Sequence, residues 1–412
     1  MRELFNDYVK SMTTYIMFKI KAAANKLRPE LEAKGRSPIF LSMGAPTANP
    51  PKQLIDRLKS ALDEEFVHMY SIPKGEKFFR DAIKTYMQRR FSVDLDSERE
   101  IAALIGSKEG LANFLRALIS PTTDEEEQDI IFIPDPGYAS YTQMVNIAGG
   151  KTYSLPLTPE NNYMPNLDEV WEEFIEHGGN PKKVKAVIIN YPNNPLGATA
   201  TREYYKHVID FCTRHGILLM SDAAYADLYF SNEERPFSIL EFEGAKDIAV
   251  EFFSFSKPYA MTGARLGWIC GNAEAINELC VLKSTIDNGI YKPLQIACAE
   301  ILNSPEGDEY TRQANIELKK KQDIFVNGLR ELGWKDFYIP NSTFYLWLPI
   351  PPRYKTSKEF TDELMKISGI IAVPGHAYGN FGEGFFRVSI VCSEAQINEC
   401  ISRMKEDGFY FE

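Results

Sequence analysis

The sequence predicts an α/β protein: a large domain on a mostly parallel, seven-stranded sheet between helices, plus a smaller α+β domain. Two observations predict it. Between residues 101 and 270, seven short apolar runs alternate with helical patterns, and strands separated by helices argue a parallel sheet covered on both faces. After about Pro293 the pattern changes, and a long charged helical stretch leads into a compact mixture of strands and helices. At 412 residues, 44% of them hydrophobic, the chain is long enough to bury the cores of two such units.

Taken in order, residues 15–35 read as a helix with Ile20, Ala23 and Leu27 on one face. Ser42-Met43-Gly44-Ala45-Pro46 is a turn, and Pro50-Pro51 opens a helix over 52–65. Residues 70–75 form a loop. A helix over 76–91 carries Phe79, Ile83 and Met87 at core spacing. The strand runs are 101–105, 129–133, 151–155, 184–190, 217–221, 248–254 and 266–270, with helices over 110–119, 140–148, 167–176 and 204–214 between them. The charged stretch 309–332 is a long helix. Beyond it, strands are expected at 337–339, 343–348, 370–373 and 384–390, and helices at 357–367 and 394–406. The expected division is a large domain over 46–293, with 1–45 and 294–412 forming the small one.

Net charge is -11 with a pI near 5.2, so nothing in the composition suits nucleic acid or an anionic membrane. Six cysteines are scattered, with no C-x-x-C pair and no histidine spacing that suits zinc; reduced, mostly buried thiols and no metal are expected. The apolar run near the N-terminus, residues 15–18, is too short for a signal sequence or a membrane span, which reads as a cytoplasmic enzyme.

The chemistry concentrates where the strand runs end. The run 248–254 leads into Ser254-Phe255-Ser256-Lys257, and Arg265 follows within Met261-Thr262-Gly263-Ala264-Arg265-Leu266-Gly267. A lysine amine can form a Schiff base with an aldehyde cofactor, and hydroxyls with a guanidinium can hold a phosphate dianion. Pyridoxal phosphate (PLP) is the cofactor that wants this set. Gly106-Ser107-Lys108-Glu109-Gly110 lies between a strand and an apolar helix, where backbone amides, a hydroxyl and a lysine make an anion site. An N-cap serine alone would fit the same residues. Pro134-Asp135-Pro136-Gly137-Tyr138 is a rigid turn ending in an aromatic. Ser221-Asp222-Ala223-Ala224-Tyr225 ends another run; a carboxylate at a buried strand end is costly unless paired. A helix N-cap is its other reading, but Asp222, Tyr225 and Lys257 one strand apart favour a cofactor site.

The Lys257 stretch resembles the PLP-lysine motif of fold type I, class I/II aminotransferases, the aspartate aminotransferase superfamily, and the resemblance extends over essentially the full length. It implies roles residue by residue. Lys257 carries the cofactor and moves the substrate proton. Asp222 pairs with the pyridine nitrogen, and Tyr225 bonds the 3-oxygen. Ser107, Lys108, Ser254, Ser256 and Arg265 hold the phosphate. Tyr138 stacks on the ring. Asn194, in Asn190-Tyr191-Pro192-Asn193-Asn194-Pro195-Leu196-Gly197, bonds the 3-oxygen and the substrate carboxylate, with Leu196 where that turn usually has Thr. Arg387, in Gly382-Glu383-Gly384-Phe385-Phe386-Arg387-Val388-Ser389, clamps the substrate α-carboxylate. Gly44 and Tyr15 fall on the substrate side. Tyr70 matches a residue that reaches the neighbouring subunit's phosphate, which implies a homodimer.

The implied activity is transfer of an amino group between an L-amino acid and a 2-oxo acid. Within the superfamily, Lys283-Ser284-Thr285-Ile286-Asp287-Asn288-Gly289 and Phe344-Tyr345-Leu346-Trp347-Leu348-Pro349 are similar to the LL-diaminopimelate aminotransferases, which implies LL-diaminopimelate with 2-oxoglutarate. The sequence departs from that group at Ile72-Pro73-Lys74-Gly75, which has no acid before the glycine to read a distal ammonium. A broad aspartate, alanine or aromatic aminotransferase, or a PLP carbon–sulfur lyase using the same cofactor residues, stays open.

Overall fold

The computed structural model describes Leu4, Val9, Lys10, Met12 and residues 16–122 and 124–412. Strands are numbered in chain order. After β1 (Ile39–Phe40), the seven expected runs become β2 (Ile101–Leu104), β3 (Ile130–Asp135), β4 (Lys151–Pro156), β5 (Val184–Ile189), β6 (Leu218–Asp222), β7 (Ala249–Ser254) and β8 (Gly267–Gly271). They form one sheet in the order β2-β8-β7-β6-β5-β3-β4. Neighbours from β4 to β7 pair in parallel, and β8 runs antiparallel to both β7 and β2.

Continuous apolar runs suit this sheet because both of its faces are covered. Successive side chains point to opposite faces. Phe132, Val187, Leu219 and Phe253 therefore enter one buried cluster, while Ile131, Ile188, Met220 and Phe252 enter another. The covering helices have local stop and start signals. Helix Arg202–His215 is capped by Thr201, whose hydroxyl accepts from the amide of Tyr204, and it ends at Gly216 with φ +63°. Helix Ser107–Leu118 follows Gly106 with no side chain capping its first turn.

The remainder builds around helix Pro305–Glu331, β9 (Tyr345–Pro349), helix Ser357–Ser368, β10 (Ile370–Ile371), β11 (Val373–Pro374), β12 (Phe385–Ser389) and helix Glu394–Glu406. β12 lies between β11 and β9, antiparallel to both, while β1 pairs in parallel with β10. A separate cluster, including Phe325, Trp334, Leu346, Phe360 and Ile397, fills this part. Helix Lys292–Leu302 packs by Leu294, Ala297 and Ile301 into the large sheet's cluster instead.

Several local expectations change. Residues 337–339 are not a strand: the Tyr338 ring turns onto Tyr163, 5.2 Å away, and Pro340 follows. The expected strand 370–373 divides at Ala372 into β10 and β11, which join different sheets; Pro374, lacking an amide proton, ends the second piece. Helix Lys52–Ala61 stops short of residue 65. In helix Ile16–Ala33 it is Ala24, not Ala23, that is buried with Leu31. Of the six cysteines, five are buried and Cys280 is half-buried; none is in a disulfide.

Candidate active site

β2, β3, β5, β6 and β7 all point their carboxyl ends at one edge of the sheet, where ligands of α/β sheets gather. A cavity of about 400 Å³ lies there. Ser107, Lys108, Tyr138, Asn194, Asp222, Tyr225, Ser254, Ser256, Lys257 and Arg265 from the sheet side line it, together with Gly44 and Arg387 from the other side. Two expected site residues are not among its walls. Tyr70 is 84% exposed on its loop. Tyr15 lies outside the described residues.

At one end the donors suit an anion. Arg265 Nη1 donates to the carbonyl of Thr262 at 2.9 Å and lies 3.4 Å from Ser256 Oγ, while Ser254 Oγ accepts from the amide of Ser256. Arg265 itself has φ +57°, a strained value for a side-chain-bearing residue. The approach to this end is closed to a Cβ. One on Gly106 would lie 2.3 Å from Arg265 Nη2, and one on Gly267 would lie 2.4 Å from the Phe253 carbonyl and 3.0 Å from the Ser107 amide. Glycine is the residue that allows this approach. Lys108 Nζ sits 5.7 Å from the centre of the Tyr138 ring.

Asp222 stands at the other end. The phenol of Tyr141 donates to its Oδ2 at 2.7 Å, and the Ala224 amide reaches its Oδ1 at 3.3 Å. Burial raises the Asp222 pKa, and the Tyr141 bond, the Ala224 bond and the charge of Lys257 oppose that rise. Asn190 holds the strand end: its Nδ2 donates to the Asp222 carbonyl, and its Oδ1 accepts from the amide of Asn194.

Between the two ends lies Lys257. Its amine donates to the Gly44 carbonyl at 2.5 Å and lies 5.6 Å from the centre of the Tyr225 ring. Its pKa is lowered to about 8, first by burial and then by the charge of Arg387, with Asp222 acting the other way. A free amine is thus accessible near neutral pH, which a nucleophilic lysine needs. Burial also raises the Tyr225 phenol well above its usual range, and its oxygen pairs with that of Tyr345 at 3.0 Å.

Arg387 closes the cavity from β12. Its Nη1 donates to Asn194 Oδ1 at 2.8 Å and its Nη2 to the Ser42 carbonyl at 2.9 Å. The guanidinium carbon lies 4.2 Å from the centre of the Tyr345 ring and 5.0 Å from that of Tyr378. With Asn194 Oδ1 turned to Arg387, its amide nitrogen is left to donate elsewhere.

Tyr141, Tyr345 and Asn190 were not expected here. Tyr141 opens helix Tyr141–Ala148 three residues after Tyr138, and its amide donates to the Tyr138 carbonyl at 3.0 Å in the turn between them. Tyr345 sits inside an apolar strand run and reads as core.

The donor set fits pyridoxal phosphate: hydroxyls and a guanidinium for the phosphate, a buried carboxylate for the pyridine nitrogen, and an amine of lowered pKa between them. Residues 36–404 match the model of the aminotransferase class I and II family. Among curated proteins, LL-diaminopimelate aminotransferase 2 of Trichormus variabilis is 39% identical over 392 residues, 95% of this chain and 96% of its own length. LL-diaminopimelate aminotransferase of Aquifex aeolicus is 38% identical over 402 residues, covering 97% and 98%. Among solved structures, apo-BacF from Bacillus subtilis matches with a TM-score of 0.91 at 29% identity, over 99% of each chain.

Proposed function

The chain belongs to the class I and II aminotransferases, which work with pyridoxal phosphate, and we propose that it moves an amino group between LL-diaminopimelate and 2-oxoglutarate. The transfer chemistry is carried by Lys257, a buried amine of lowered pKa between an anion-holding end and the Asp222 carboxylate. The choice of substrate is supported by near-full-length relatives at 35–39% identity that are named for LL-diaminopimelate.

When bound, the cofactor supplies an aldehyde for the substrate amine and a ring that accepts the electron pair released at Cα. The residues of the chain divide the remaining work. Arg387 takes the α-carboxylate on its two nitrogens, and Asn194 orients that arginine. Lys257, freed of its charge, takes up and returns the proton at the substrate Cα. Asp222, with Tyr141 as its donor, would stay ionised and hold a proton on the ring nitrogen. Tyr225 offers its phenol to the 3-oxygen. Ser107, Lys108, Ser254, Ser256 and Arg265 would hold the phosphate, Tyr138 would cover the ring, and Gly44 would border the substrate.

We also propose two working units, 46–293 and the rest, with Arg387 brought by the smaller one to the larger. A homodimer fits the exposed apolar side chains Phe66, Met69, Tyr70 and Ile72, beside Tyr291, whose phenol meets His68 at 3.1 Å. Tyr70 would act across that interface. The reading is of a cytoplasmic enzyme; among the described residues, no helix is long and apolar enough to cross a membrane.

One observation favours a broad aspartate, alanine or aromatic aminotransferase as the second reading. The first acid after the Tyr70 loop, Glu76, is bound by Ser71 Oγ at 2.9 Å and lies 3.7 Å from Lys292. The deciding experiment mixes PLP-loaded protein with single amino acids and follows its visible absorbance. A response to LL-diaminopimelate and glutamate but not to aspartate or tyrosine supports the proposal. A response to many amino acids supports the second reading, and release of pyruvate without an oxo-acid partner would make the protein a carbon–sulfur lyase.

A further inference from the structure

Asp135 closes β3, and its carboxylate has no charged partner within the turn. It accepts instead from Ser154 Oγ at 2.9 Å and from two amides far along the chain, Asn380 at 3.2 Å and Phe381 at 3.1 Å. Two residues later the Gly137 amide donates to the Tyr378 carbonyl at 2.9 Å. The turn that carries Tyr138 is therefore fastened at two points to residues 378–381.

That segment is the connection between β11 and β12, and β12 carries Arg387. Arg387 pairs across the ladder with Val373 on β11 and with Trp347 on β9. Tyr378 lies beneath it, and Trp347 is in edge contact with Tyr378 and stacked on Phe385. The loop has little room to shift at the contact. Gly379 has φ +135°, and a Cβ there would lie 2.0 Å from Asp135 Oδ1. A Cβ on Gly375 would lie 1.9 Å from the Gly382 carbonyl.

Resting on the proposed role of Arg387, we infer that Asp135 is a positioning residue for the substrate-carboxylate clamp. It ties the β11–β12 loop to the cofactor-side turn, so that Tyr378, and Arg387 packed on it, are held in place at the wall of the cavity that Lys257 also lines. A carboxylate suits the task because its two oxygens can each take one backbone amide, and charged acceptors hold amides more firmly than neutral ones. A clamp preset in this way binds substrate without first ordering the loop.

The test uses Asp135→Ala and Gly379→Ala in the PLP-loaded enzyme. The second variant attacks the same contact from the loop side and leaves Asp135 in place. Both are expected to raise KM for the amino acid and for the oxo acid by about tenfold, the equivalent of one charge-assisted hydrogen bond, with kcat changed far less. Glutarate, an unreactive dicarboxylate, should bind both variants about tenfold more weakly by the same reasoning. Amide exchange in the 376–388 segment should rise, while cofactor affinity and absorbance stay as in the wild type. Asp135→Asn, with one acceptor oxygen in place of two, should fall between. Unchanged KM and glutarate affinity in Gly379→Ala, or weaker cofactor binding in Asp135→Ala with glutarate affinity intact, would overturn the inference. A wild type that transaminates no amino acid would instead sink the functional reading, and glutarate affinity and amide exchange would still decide the role of Asp135.

Discussion

The phenol of Tyr141 donates to Oδ2 of Asp222 at 2.7 Å, and both residues are buried. Burial drives the Asp222 carboxyl toward its neutral form, and this bond is the first of the influences that oppose it. An ionised Asp222 is what a protonated ring nitrogen requires. On the role proposed for Asp222, Tyr141 supports that ionised state, although no separate motif announces it.

Tyr141→Phe removes one hydrogen bond and leaves the ring packing against Tyr138, whose centre is 5.5 Å away. A loss of about 1–1.5 kcal/mol is expected, or roughly a tenfold fall in kcat/KM. The absorbance of the bound cofactor should also shift its pH dependence, because Asp222 ionises less readily. An unchanged rate and an unchanged pH profile would show that Ala224 and Lys257 suffice.

Much of the fold was legible because buried parallel strands leave a plain mark. Runs such as 184–190 and 248–254 are mostly apolar, interrupted only by Lys185 and by Glu251, which is buried on Ser221 and Ser238, and their ends coincide with Asn190 and Ser254. Most pocket-lining residues from Ser107 to Ser256 follow from that geometry, since they sit at or just past a strand's carboxyl end, while Arg265 stands just before β8. What was not legible depends on long-range contacts. The Asp135 bonds span about 245 residues, and no local pattern encodes them. Tyr345 is one apolar-strand tyrosine among neighbours of the same kind. The strand expected at 337–339 failed because Tyr338 finds a partner in Tyr163, a tertiary choice that local propensity does not contain.

Arg387→Lys keeps the charge but loses the planar fork that reaches Asn194 and Ser42 together. KM for both substrates should rise by about 30- to 100-fold, corresponding to roughly 2–3 kcal/mol for a charged bidentate contact. Cofactor absorbance should not change, because the phosphate end and Asp222 are untouched. Steady-state kinetics over a range of amino acids would check this, and a drop confined to kcat would contradict it.

Lys257 gives a prediction with a sign in pH. Its pKa in the folded cofactor-free protein is about 8, against 10.5 for an ordinary lysine. Between those values the unfolded chain binds more protons than the folded one, so this group makes stability rise as pH increases from about 8 to 10.5. Below pH 8 the buried charge destabilises the fold by roughly 3 kcal/mol, at about 1.4 kcal/mol per pH unit. Lys257→Met in the cofactor-free form should therefore be more stable than the wild type at pH 7, and the difference should close by pH 10.5. Thermal unfolding across that range is the check, and equal stabilities at pH 7 would refute it. The same variant should bind PLP without the absorbance of a lysine adduct and should not transaminate.

Lys283 is fully buried, and its amine meets Glu109 Oε1 at 2.9 Å and Asp287 Oδ2 at 2.8 Å. Glu109 lies in the first turn of helix Ser107–Leu118, where its other oxygen accepts from the Ile105 amide at 2.7 Å. Asp287 in turn accepts from the Gly289 amide at 2.8 Å, and Gly289 packs so closely that a Cβ would lie 2.2 Å from the Ile72 carbonyl beside the Tyr70 loop. Lys283→Met would leave two carboxylates without their cation, and breaking a buried pair in this way costs about 3–5 kcal/mol. The variant should unfold at lower urea, with the loss compared at one cofactor concentration because a bound cofactor stabilises the folded state. Adding Glu109→Gln and Asp287→Asn to Lys283→Met should recover part of the loss, since the amides keep acceptors for Ile105 and Gly289 without an unpaired charge. If Lys283→Met unfolds with the wild type, the cation is not what holds these segments together, and the backbone bonds of the two loops must do so alone.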